Sequence, residues 1–443
     1  MSSRQADAAA GGKLRTPILF LALLALFAIE AATSGWNAAL VILNMGVISA
    51  IMALGLNLQW GYAGLFNAGT MGFIALGGVA PVLISMPATQ GAMSAGGWRI
   101  LLALAIAIAV LAIAVQLWKR LRKGLRGLAT CLVLVIGFFL FRGVFDPGVS
   151  AVEAINPSAQ GYLGGLGLPV LLAWPVGALF AALAAWAIGK AALGLRSDYL
   201  AIATLGIAEI IVAMLKNENW LDRGVMNVNG IPRPFFIPRE IDLQASGEFV
   251  AHAAQFGMDP VLASTVFVKL LYLVLFSVVL VVFVIAAQLA LHSPWGRMMR
   301  AIRENEVAAA AMGKNVTKRH LQIFIIGSAI CGFAGAMMVT LDGQLTPATY
   351  NPLRFTFLIM VMVILGGSGN NWGAVLGGIL VWFLWIKAEA WGPDLLQLLT
   401  AGMAPGALKD HLLESAAQMR YLAMGLVLLL VLRFAPRGLL PER

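Results

Sequence analysis

Long apolar stretches alternate with short polar connections along the whole chain. Many of them approach the roughly 20 residues that a helix needs to cross about 30 Å of hydrocarbon. They lie at about residues 17–35, 38–60, 65–87, 99–118, 128–145, 169–189, 199–215, 266–291, 320–341, 354–366, 372–391 and 420–434. The stretches at 354–366 and 372–391 are either two crossings or one crossing with a break. The pattern predicts an all-α polytopic membrane bundle with roughly ten to twelve spans, some broken.

Two apolar stretches are interrupted by glycine and polar residues, at 56–64 and 366–373. Non-helical backbone at membrane depth is tolerated only where protein or water covers it, so paired interrupted spans point to a translocation path. Plain loops between helices are the alternative. The glycines of these breaks would permit a hinge or close helix packing; they are Gly61, Gly64, Gly366, Gly367 and Gly369.

Composition supports the membrane prediction and the charges orient it. Residues are 60% hydrophobic and 11% charged, which leaves too little polar surface for a soluble enzyme. The net charge of +10 marks cytoplasmic connections rather than nucleic-acid binding. We expect a cytoplasmic N-terminus at 1–16, a transmembrane domain at 17–434 and a cytoplasmic tail at 435–443. Although a charged start before an apolar run also suits a signal peptide, the many later spans favour an uncleaved first helix.

Two connections within the membrane domain carry opposite charge. The 292–319 connection is basic and is predicted to be cytoplasmic, like the cluster at 119–126. The 216–265 segment has more acidic than basic residues and several prolines, so it is predicted to be a small extracytoplasmic cap or a solvated loop. Lipid is the expected surrounding of the spans.

Catalytic and cofactor motifs are missing from the sequence. None of the Gly-Lys pairs, at Gly12, Gly189 and Gly313, is followed by the Ser or Thr of a phosphate-binding loop. The four histidines are scattered without metal-ligand spacing. We therefore predict that the chain is no enzyme and that it binds neither ATP nor a metal itself.

A capped amphipathic helix is predicted in the 292–319 connection. Ser293 suits an N-cap, Pro294 suits the first helical position, and Gly313 can end the helix in the left-handed conformation. Apolar residues fall on one face, at Trp295, Met298, Met299 and Ile302. One continuous helix would put Glu306 on that face, which indicates either protein docking or a new short helix near Asn305. An interfacial helix on lipid headgroups is the other interpretation.

Four stretches resemble one family. Residues 195–206 read LRSDYLAIATLG and are similar to the motif LRGDYLAIVTLG. Residues 301–317 are similar to REDEIAAEALGINVT, residues 361–377 to MVVLGGLGSIWGAVLG, and residues 433–440 to a segment ending in RPRGLL. These stretches, in this order, resemble the LivM-type permease subunits of branched-chain amino acid ABC importers. The resemblance extends from about residue 40 to the C-terminus.

The resemblance implies a membrane subunit of a binding-protein-dependent importer in the bacterial inner membrane. Its implied partners are a sister permease, two cytoplasmic ATPases that bind ATP and Mg²⁺, and an extracytoplasmic solute-binding protein. The 294–313 helix matches the coupling helix that transmits ATPase closure to the spans. The implied coupling residues are Arg300, Arg303, Glu304, Glu306, Ala308, Ala309 and Gly313. The importer motif reads Glu-Ala-Ala, three residues, then Gly. Here Val307 precedes the alanine pair, so the glutamate, Glu306, is displaced by one position.

Polar residues of the apolar stretches are the candidates for the translocation path. They are Asn57, Tyr62, Asn67, Thr70, Thr204 and Glu209. A carboxylate within a span is costly and functional by default, although Glu209 could also pair with a cation or extend to the interface. The resemblance implies a branched-chain or related amino acid as the solute. Residues 67–70 replace the Ser-Leu-Gly-His of relatives, so a shifted specificity is expected if this segment contacts the solute. Urea and short amides are the alternative for this class of permease, and an ion-coupled secondary transporter is a further one.

Overall fold

The structure is a computed structural model that describes residues 3–122, 124–156, 161–194, 197–403 and 406–442. Helices dominate these ranges, which confirms the all-α membrane fold. The helices are α1 Ser3–Ser34, α2 Trp36–Ala63, α3 Thr70–Ser85, α4 Trp98–Arg120, α5 Arg126–Glu153, α6 Val170–Ala192, α7 Ser197–Asn217, α8 Asn219–Asp222, α9 Glu240–Ala245, α10 Gly247–Gln255, α11 Pro260–His292, α12 Pro294–Glu304, α13 Glu306–Ala311, α14 Val316–Asp342, α15 Leu358–Gly366, α16 Asn371–Thr400, α17 Ala407–Glu414 and α18 Met419–Phe434. Residues 195 and 196 of the 195–206 motif lie outside the described residues.

Short irregular turns and two strands complete the described chain. The π-helical turns are Met93–Gly97 and Leu353–Phe357, and the 3-10 turns are Gly224–Met226, Pro347–Thr349 and Ser415–Gln418. Strand β1 (Val228–Asn229) pairs antiparallel with β2 (Gln344–Leu345), and Val228 lies opposite Leu345. This pair ties the 216–265 segment to the end of α14. The side of the membrane on which the segment lies stays a prediction.

Nine of the described helices are long and apolar enough to cross a membrane. They are α1, α2, α4 with the turn before it, α5, α6, α7, α11, α14 and α16. The remaining predicted spans correspond to shorter apolar elements, namely α3, Leu353–Gly366 and α18. At ~1.5 Å per residue, the 16-residue α3 is about 24 Å long, which is less than the ~30 Å hydrocarbon core.

Helices α2 and α14 form the centre of the bundle. Both are apolar on all sides and largely buried, as expected for helices surrounded by other helices. Glycines allow the closest approaches: a Cβ on Gly77 of α3 would lie 2.0 Å from the Gly332 carbonyl oxygen of α14. A Cβ on Gly332 would in turn lie 2.7 Å from the Gly177 carbonyl oxygen of α6. Many of the glycines inside apolar stretches therefore serve helix packing.

The first helix is fastened to the bundle by an ion pair inside the membrane. Glu30 of α1 and Lys387 of α16 are both buried, and a carboxylate oxygen of Glu30 lies 2.8 Å from the Lys387 Nζ. Isolated charges at this depth would be costly, so each residue makes the other tolerable. Helix α1 is thus packed as a member of the bundle.

Candidate functional site

The predicted coupling segment, residues 292–319, called the coupling segment below, contains two short helices rather than one. Asn305 has an extended backbone (φ −154°, ψ 95°), so α12 ends at Glu304 and α13 begins at Glu306. The Asn305 side chain caps α13 by accepting a hydrogen bond from the Ala308 N–H at 2.9 Å. The interpretation of a new short helix near Asn305 is confirmed. Because the helix breaks there, Glu306 is exposed instead of lying on the apolar face.

The helical part of the coupling segment, α12 and α13, begins at Pro294 and ends just before Gly313, as predicted. Pro294 is the first residue of α12, and Gly313 has a φ of 77°, in the left-handed region where glycine carries no strain. Ser293 occupies the N-cap position, but its hydroxyl donates to the Ala290 carbonyl oxygen at 2.6 Å instead of capping α12. The predicted cap hydrogen bond is therefore wrong, although the predicted helix start is right.

The apolar face of α12 packs on the bundle. Met299 and Ile302 are fully buried, and Trp295 and Met298 are partly buried. The face predicted to meet a partner or lipid is therefore occupied by the chain itself. The second helix is more exposed: Val307 of α13 is 79% exposed, and Met312, which follows α13, is 80% exposed.

The predicted coupling residues divide between the exposed surface and the interior. Glu304, Glu306, Ala308 and Gly313 are exposed, and Ala309 is half-buried. Arg300 extends towards the bundle, with its guanidinium 3.4 Å from the Leu291 carbonyl oxygen. Arg303 also turns inward: it donates to the Gly61 carbonyl oxygen and forms an ion pair with Glu442, at 2.8 Å. Whether each residue contacts a partner stays a prediction.

The first break lies later than predicted, since residues 56–63 belong to α2 and only residues 64–69 are non-helical. Within 56–63, Gly61 serves close packing and does not interrupt the helix. The helix ends at Ala63, Gly64 adopts the left-handed conformation with φ 71°, and α3 begins at Thr70. Asn67 stabilises the turn from within, because its Oδ1 accepts from the Gly69 N–H at 2.9 Å and its Nδ2 donates to Gln59 Oε1 at 2.8 Å. Asn67 is fully buried, so the break is a built structure rather than a solvated loop.

Gln59 connects the first break to α14, and it was not among the residues predicted for the translocation path. Its Nε2 donates to the Phe324 carbonyl oxygen at 2.9 Å and to Ser328 Oγ at 3.0 Å, both on α14. Gln59 is completely buried. The available signal was its position two residues after Asn57 in a membrane stretch, where an uncompensated amide would be expensive.

Thr70 and Thr204 fix the start of α3. The Thr70 hydroxyl donates to the Phe355 carbonyl oxygen at 2.8 Å and lies 3.1 Å from the Thr356 hydroxyl, within a π-helical turn. Thr204 of α7 accepts from the Ala68 N–H at 3.2 Å. Both threonines are buried. Two of the predicted path residues therefore hold the first break against α7 and the segment that precedes α15.

The two breaks meet at Asn57. This buried side chain accepts from the Gly369 N–H at 2.9 Å and donates to Asn371 Oδ1 at 3.3 Å. Gly61 makes the approach possible, since a Cβ there would lie 2.2 Å from Asn57 Oδ1 and 2.4 Å from the Gly369 nitrogen. The sequence predicted two interrupted spans; the structure brings them into direct contact.

The second break is held by its glycines and by the tail of the chain. Gly367 and Gly369 have φ values of 115° and 81°, and Gly366 packs so closely on Gly373 that a Cβ would lie 2.0 Å from its carbonyl oxygen. The backbone N–H groups of Leu439 and Leu440 donate to the carbonyl oxygens of residues 365 and 366, each at 2.8 Å. The tail therefore closes the carbonyl end of α15, which would otherwise have unpaired groups.

A polar cleft of about 280 Å³ lies between the coupling segment and the second break. Tyr62 contributes to its wall, and the other lining residues are Thr16, Gln288, Leu291, His292, Arg300, Gly369, Asn370, Asn371, Trp372 and Glu442. The cleft gives water access to the place where the coupling segment, the tail and the second break converge.

Glu209 is not part of this assembly. It is exposed on α7, whereas Thr204 of the same helix is buried in the network. Five helical positions rotate a side chain by about 500°, which places the two residues on different faces. Glu209 therefore lies apart from the hydrogen bonds that join the two breaks.

The comparison with known proteins decides the family. Residues 38–432 match the family model described as "Branched-chain amino acid transport system / permease component". The chain belongs to this family. The family match includes both breaks and the coupling segment, and begins after α1.

Three similar proteins are named as branched-chain amino acid permeases. The high-affinity branched-chain amino acid transport system permease protein LivM of Escherichia coli K12 is 34% identical over 238 residues, 53% of this chain and 54% of the relative. The protein of the same name from Salmonella typhimurium is 33% identical over an equal length. A probable LivM from Methanocaldococcus jannaschii is 27% identical over 319 residues, 70% of this chain and 79% of the relative. The chain thus matches about half the length of the two bacterial relatives. No solved structure matches it.

Proposed function

We propose that this chain is the transmembrane permease subunit of an ABC importer in the bacterial inner membrane, and that its solutes are branched-chain or related amino acids. Family membership and the names of the relatives support this proposal. The proposed partners are a sister permease, two cytoplasmic ATPases and an extracytoplasmic solute-binding protein. ATP and Mg²⁺ bind to the ATPases.

The observation that carries the proposal is the position of Arg303. One guanidinium reaches from the coupling segment to Gly61 at the first break and to Glu442, whose tail is bonded to the second break. A displacement of α12 therefore acts on both interrupted spans together. An importer whose energy arrives from outside the chain requires such a link between its docking surface and its path.

The exposed surface of α12 and α13 is the proposed ATPase-binding site. Glu304 and Glu306 supply charge, and Val307 and Met312 supply apolar contact area that the chain itself leaves uncovered. Exposed apolar and charged side chains together are suited to contact with a protein partner. ATPase closure would shift α12 through this surface.

The network around Asn57 is the proposed control point of the path. In the described conformation its side chains are hydrogen-bonded in pairs, Asn57 with Asn371, Asn67 with Gln59 and Thr70 with Thr356, and Asn57, Asn67 and Thr70 are fully buried. Passage of a solute requires these bonds to be exchanged for bonds to the solute or to water. Alternation between the two arrangements is the proposed transport cycle.

The proposal is tested with the complete importer. The cognate solute-binding protein is purified, and its affinity is measured for leucine, isoleucine, valine, other amino acids, urea and acetamide. The permease is then reconstituted with both ATPases in liposomes, and uptake is followed with and without ATP. We expect ATP-dependent uptake of amino acids. Tight binding of urea or amides alone would contradict the substrate class, and uptake driven by an ion gradient without ATPases would contradict the importer.

A further inference from the structure

Helices α4 and α5 form a hairpin that is largely separate from the bundle. Their ring and side-chain contacts with other elements lie near the end that carries Val152, where Phe145 packs edge-on against Trp220 at 5.6 Å between ring centroids. In α4 the buried residues are Ile100, Ala103 and Ala114. The half of the hairpin that adjoins the turn at residues 121–125 therefore presents its apolar side chains outward.

A groove runs along that uncovered half of the hairpin. One face of α5 lines it together with Trp118 of α4; the α5 residues are Gly127, Thr130, Cys131, Leu134, Val135, Phe138 and Phe139. The groove has a volume of about 530 Å³. From the first to the last of these α5 positions the helix rises by about 18 Å, slightly more than half of the hydrocarbon core of a bilayer. The groove therefore has the length of one leaflet and an apolar lining.

A cluster of cations stands at the turn end of the groove. Its described members are Lys119, Arg120, Arg122 and Arg126, and none of them forms an ion pair within the part of the chain that the structure describes. The Arg126 guanidinium lies 4.5 Å from the centroid of the Trp118 ring, which is itself part of the groove wall. The cation cluster of the turn is therefore in direct contact with the apolar wall of the groove.

We propose that this groove is a binding site for an anionic phospholipid. An acyl chain lies along α5 between Trp118 and Phe139, and the phosphate is held by the cations of the turn. Charge complementarity favours this occupant, because residues 119–126 contain no carboxylate and the cytoplasmic leaflet supplies phosphate headgroups at that depth. A protein occupant would have to neutralise the same unpaired cations inside the headgroup layer. The site is independent of the proposed transport function.

The reactivity of the native residue Cys131 can be used to measure whether the groove is occupied. Cys131 is exposed and lines the groove, whereas Cys331 is buried, so a maleimide added to the purified chain labels Cys131 selectively. The labelling rate is measured in nanodiscs of phosphatidylcholine alone and of phosphatidylcholine with phosphatidylglycerol. We expect several-fold slower labelling with phosphatidylglycerol, because the cations of the turn retain its anionic headgroup and so keep its acyl chain over the thiol, whereas zwitterionic phosphatidylcholine is not retained. Equal rates in the two lipids would contradict the proposal.

A matched pair of glycine variants tests occupancy without changing any charge. A Cβ at Gly127 or at Gly143 meets nothing within 4 Å, but only Gly127 lines the groove. Retention of phosphatidylglycerol is measured by native mass spectrometry for Gly127→Phe and Gly143→Phe. We expect Gly127→Phe to lose the retained lipid and Gly143→Phe to keep it. Equal retention by the two variants would overturn the site.

A second pair tests the headgroup contacts. Replacement of Arg120, Arg122 and Arg126 by Gln is compared with replacement of Lys314, Lys318 and Arg319 by Gln, which removes the same charge from the coupling segment. We expect only the first variant to lose its preference for phosphatidylglycerol over phosphatidylcholine. If both lose it equally, the attraction is diffuse and the site is wrong. Protection of Cys131 by an assembled partner subunit, whatever the lipid, would identify a protein occupant instead and would also overturn the proposal.

Discussion

Arg303 and Glu442 form an ion pair of 2.8 Å although they are 139 residues apart. Arg303 belongs to the coupling segment, and Glu442 belongs to a tail that is hydrogen-bonded to the second break. Both side chains are partly exposed, with 24% and 31% of their surfaces accessible, so the pair contributes little to stability, typically ~0–1 kcal/mol. The pair instead connects two segments that the chain order separates, and this contact is the basis of the proposed coupling.

Glu442→Gln is therefore expected to weaken transport more than folding. The variant keeps the shape of the side chain but removes the charge that fixes Arg303 to the tail. We expect several-fold slower ATP-dependent uptake, with ATPase association and thermal unfolding nearly unchanged. The control is Glu240→Gln, which breaks the Arg233–Glu240 pair of 2.7 Å and similar exposure in the 216–265 segment. If both variants transport equally well, the tail does not participate in coupling.

Glu306→Lys is expected to abolish uptake and leave the bundle folded. Glu306 is exposed on the proposed ATPase surface, and a lysine at the N-terminus of a helix is disfavoured by only ~0.3–1 kcal/mol. Association with the ATPases is measured by copurification, and uptake is measured in proteoliposomes. Glu248→Lys reverses an exposed charge on α10 and provides the control. Normal ATPase association together with normal uptake in Glu306→Lys would refute the coupling assignment.

Gly61→Ala tests the contact between the two breaks. The added Cβ would lie 2.2 Å from Asn57 Oδ1 and 2.4 Å from the Gly369 nitrogen, so these groups must separate. Overpacking of this kind typically costs ~1–3 kcal/mol, and we expect both a lower unfolding temperature and a loss of uptake. In Gly206→Ala the Cβ meets nothing within 4 Å, and a helical glycine is replaced. That variant should unfold at an equal or higher temperature and retain uptake; equal behaviour of both variants would contradict the contact.

The stability of the 216–265 segment should depend on pH through Asp222. Burial raises the pKa of this fully buried carboxyl to about 7, while a hydrogen bond from the Gly224 N–H opposes the shift. A folded-state pKa above the unfolded one means that the folded state holds the proton more tightly. Stability is therefore greatest at low pH and falls as pH rises from about 4 towards 7.

Asp222→Asn checks this dependence. The amide cannot ionise, yet its oxygen can still accept from the Gly224 N–H. The unfolding temperature is measured in detergent by intrinsic fluorescence at pH 5.5 and 7.5. The wild-type protein should unfold at a lower temperature at pH 7.5, and the variant should lose most of that difference. An unchanged difference in the variant would assign the pH dependence to other groups.

Local sequence signals predicted the coupling segment well because its boundaries depend on local backbone chemistry. Proline cannot donate a backbone hydrogen bond, so Pro294 suits the start of a helix, and Gly313 adopts a positive φ without strain. Asn305 was recognised as a possible helix start, but the apolar period alone fitted one helix or two. Only the extended backbone of Asn305 shows that there are two helices. The Asn305 side chain stabilises this arrangement by accepting a hydrogen bond from the Ala308 N–H.

Local signals were weaker for the path. Asn57, Asn67, Thr70 and Thr204 were selected because polar groups in apolar stretches need partners, and all four lie in one connected region. Glu209 was selected for the same reason and lies elsewhere. Residue type and depth do not reveal which face of a helix is turned inward.

The partners of the network come from distant parts of the chain. Gln59, Ser328, Thr356 and Asn371 belong to four different segments, and their roles follow from packing. The same holds for Glu442 in the tail. Their individual neighbourhoods in the sequence contain no helical period or motif that pairs one with another.

The sequence by itself determined the membrane fold, the presence of two interruptions and the ends of the helical part of 292–319, because the length and composition of apolar runs and the backbone preferences of Pro and Gly act locally. Only the tertiary structure decided that Asn57 joins the breaks and that Arg303 faces inward. These contacts link residues 312 and 242 positions apart, and they depend on how each helix is rotated when its apolar surface and glycines pack against its neighbours.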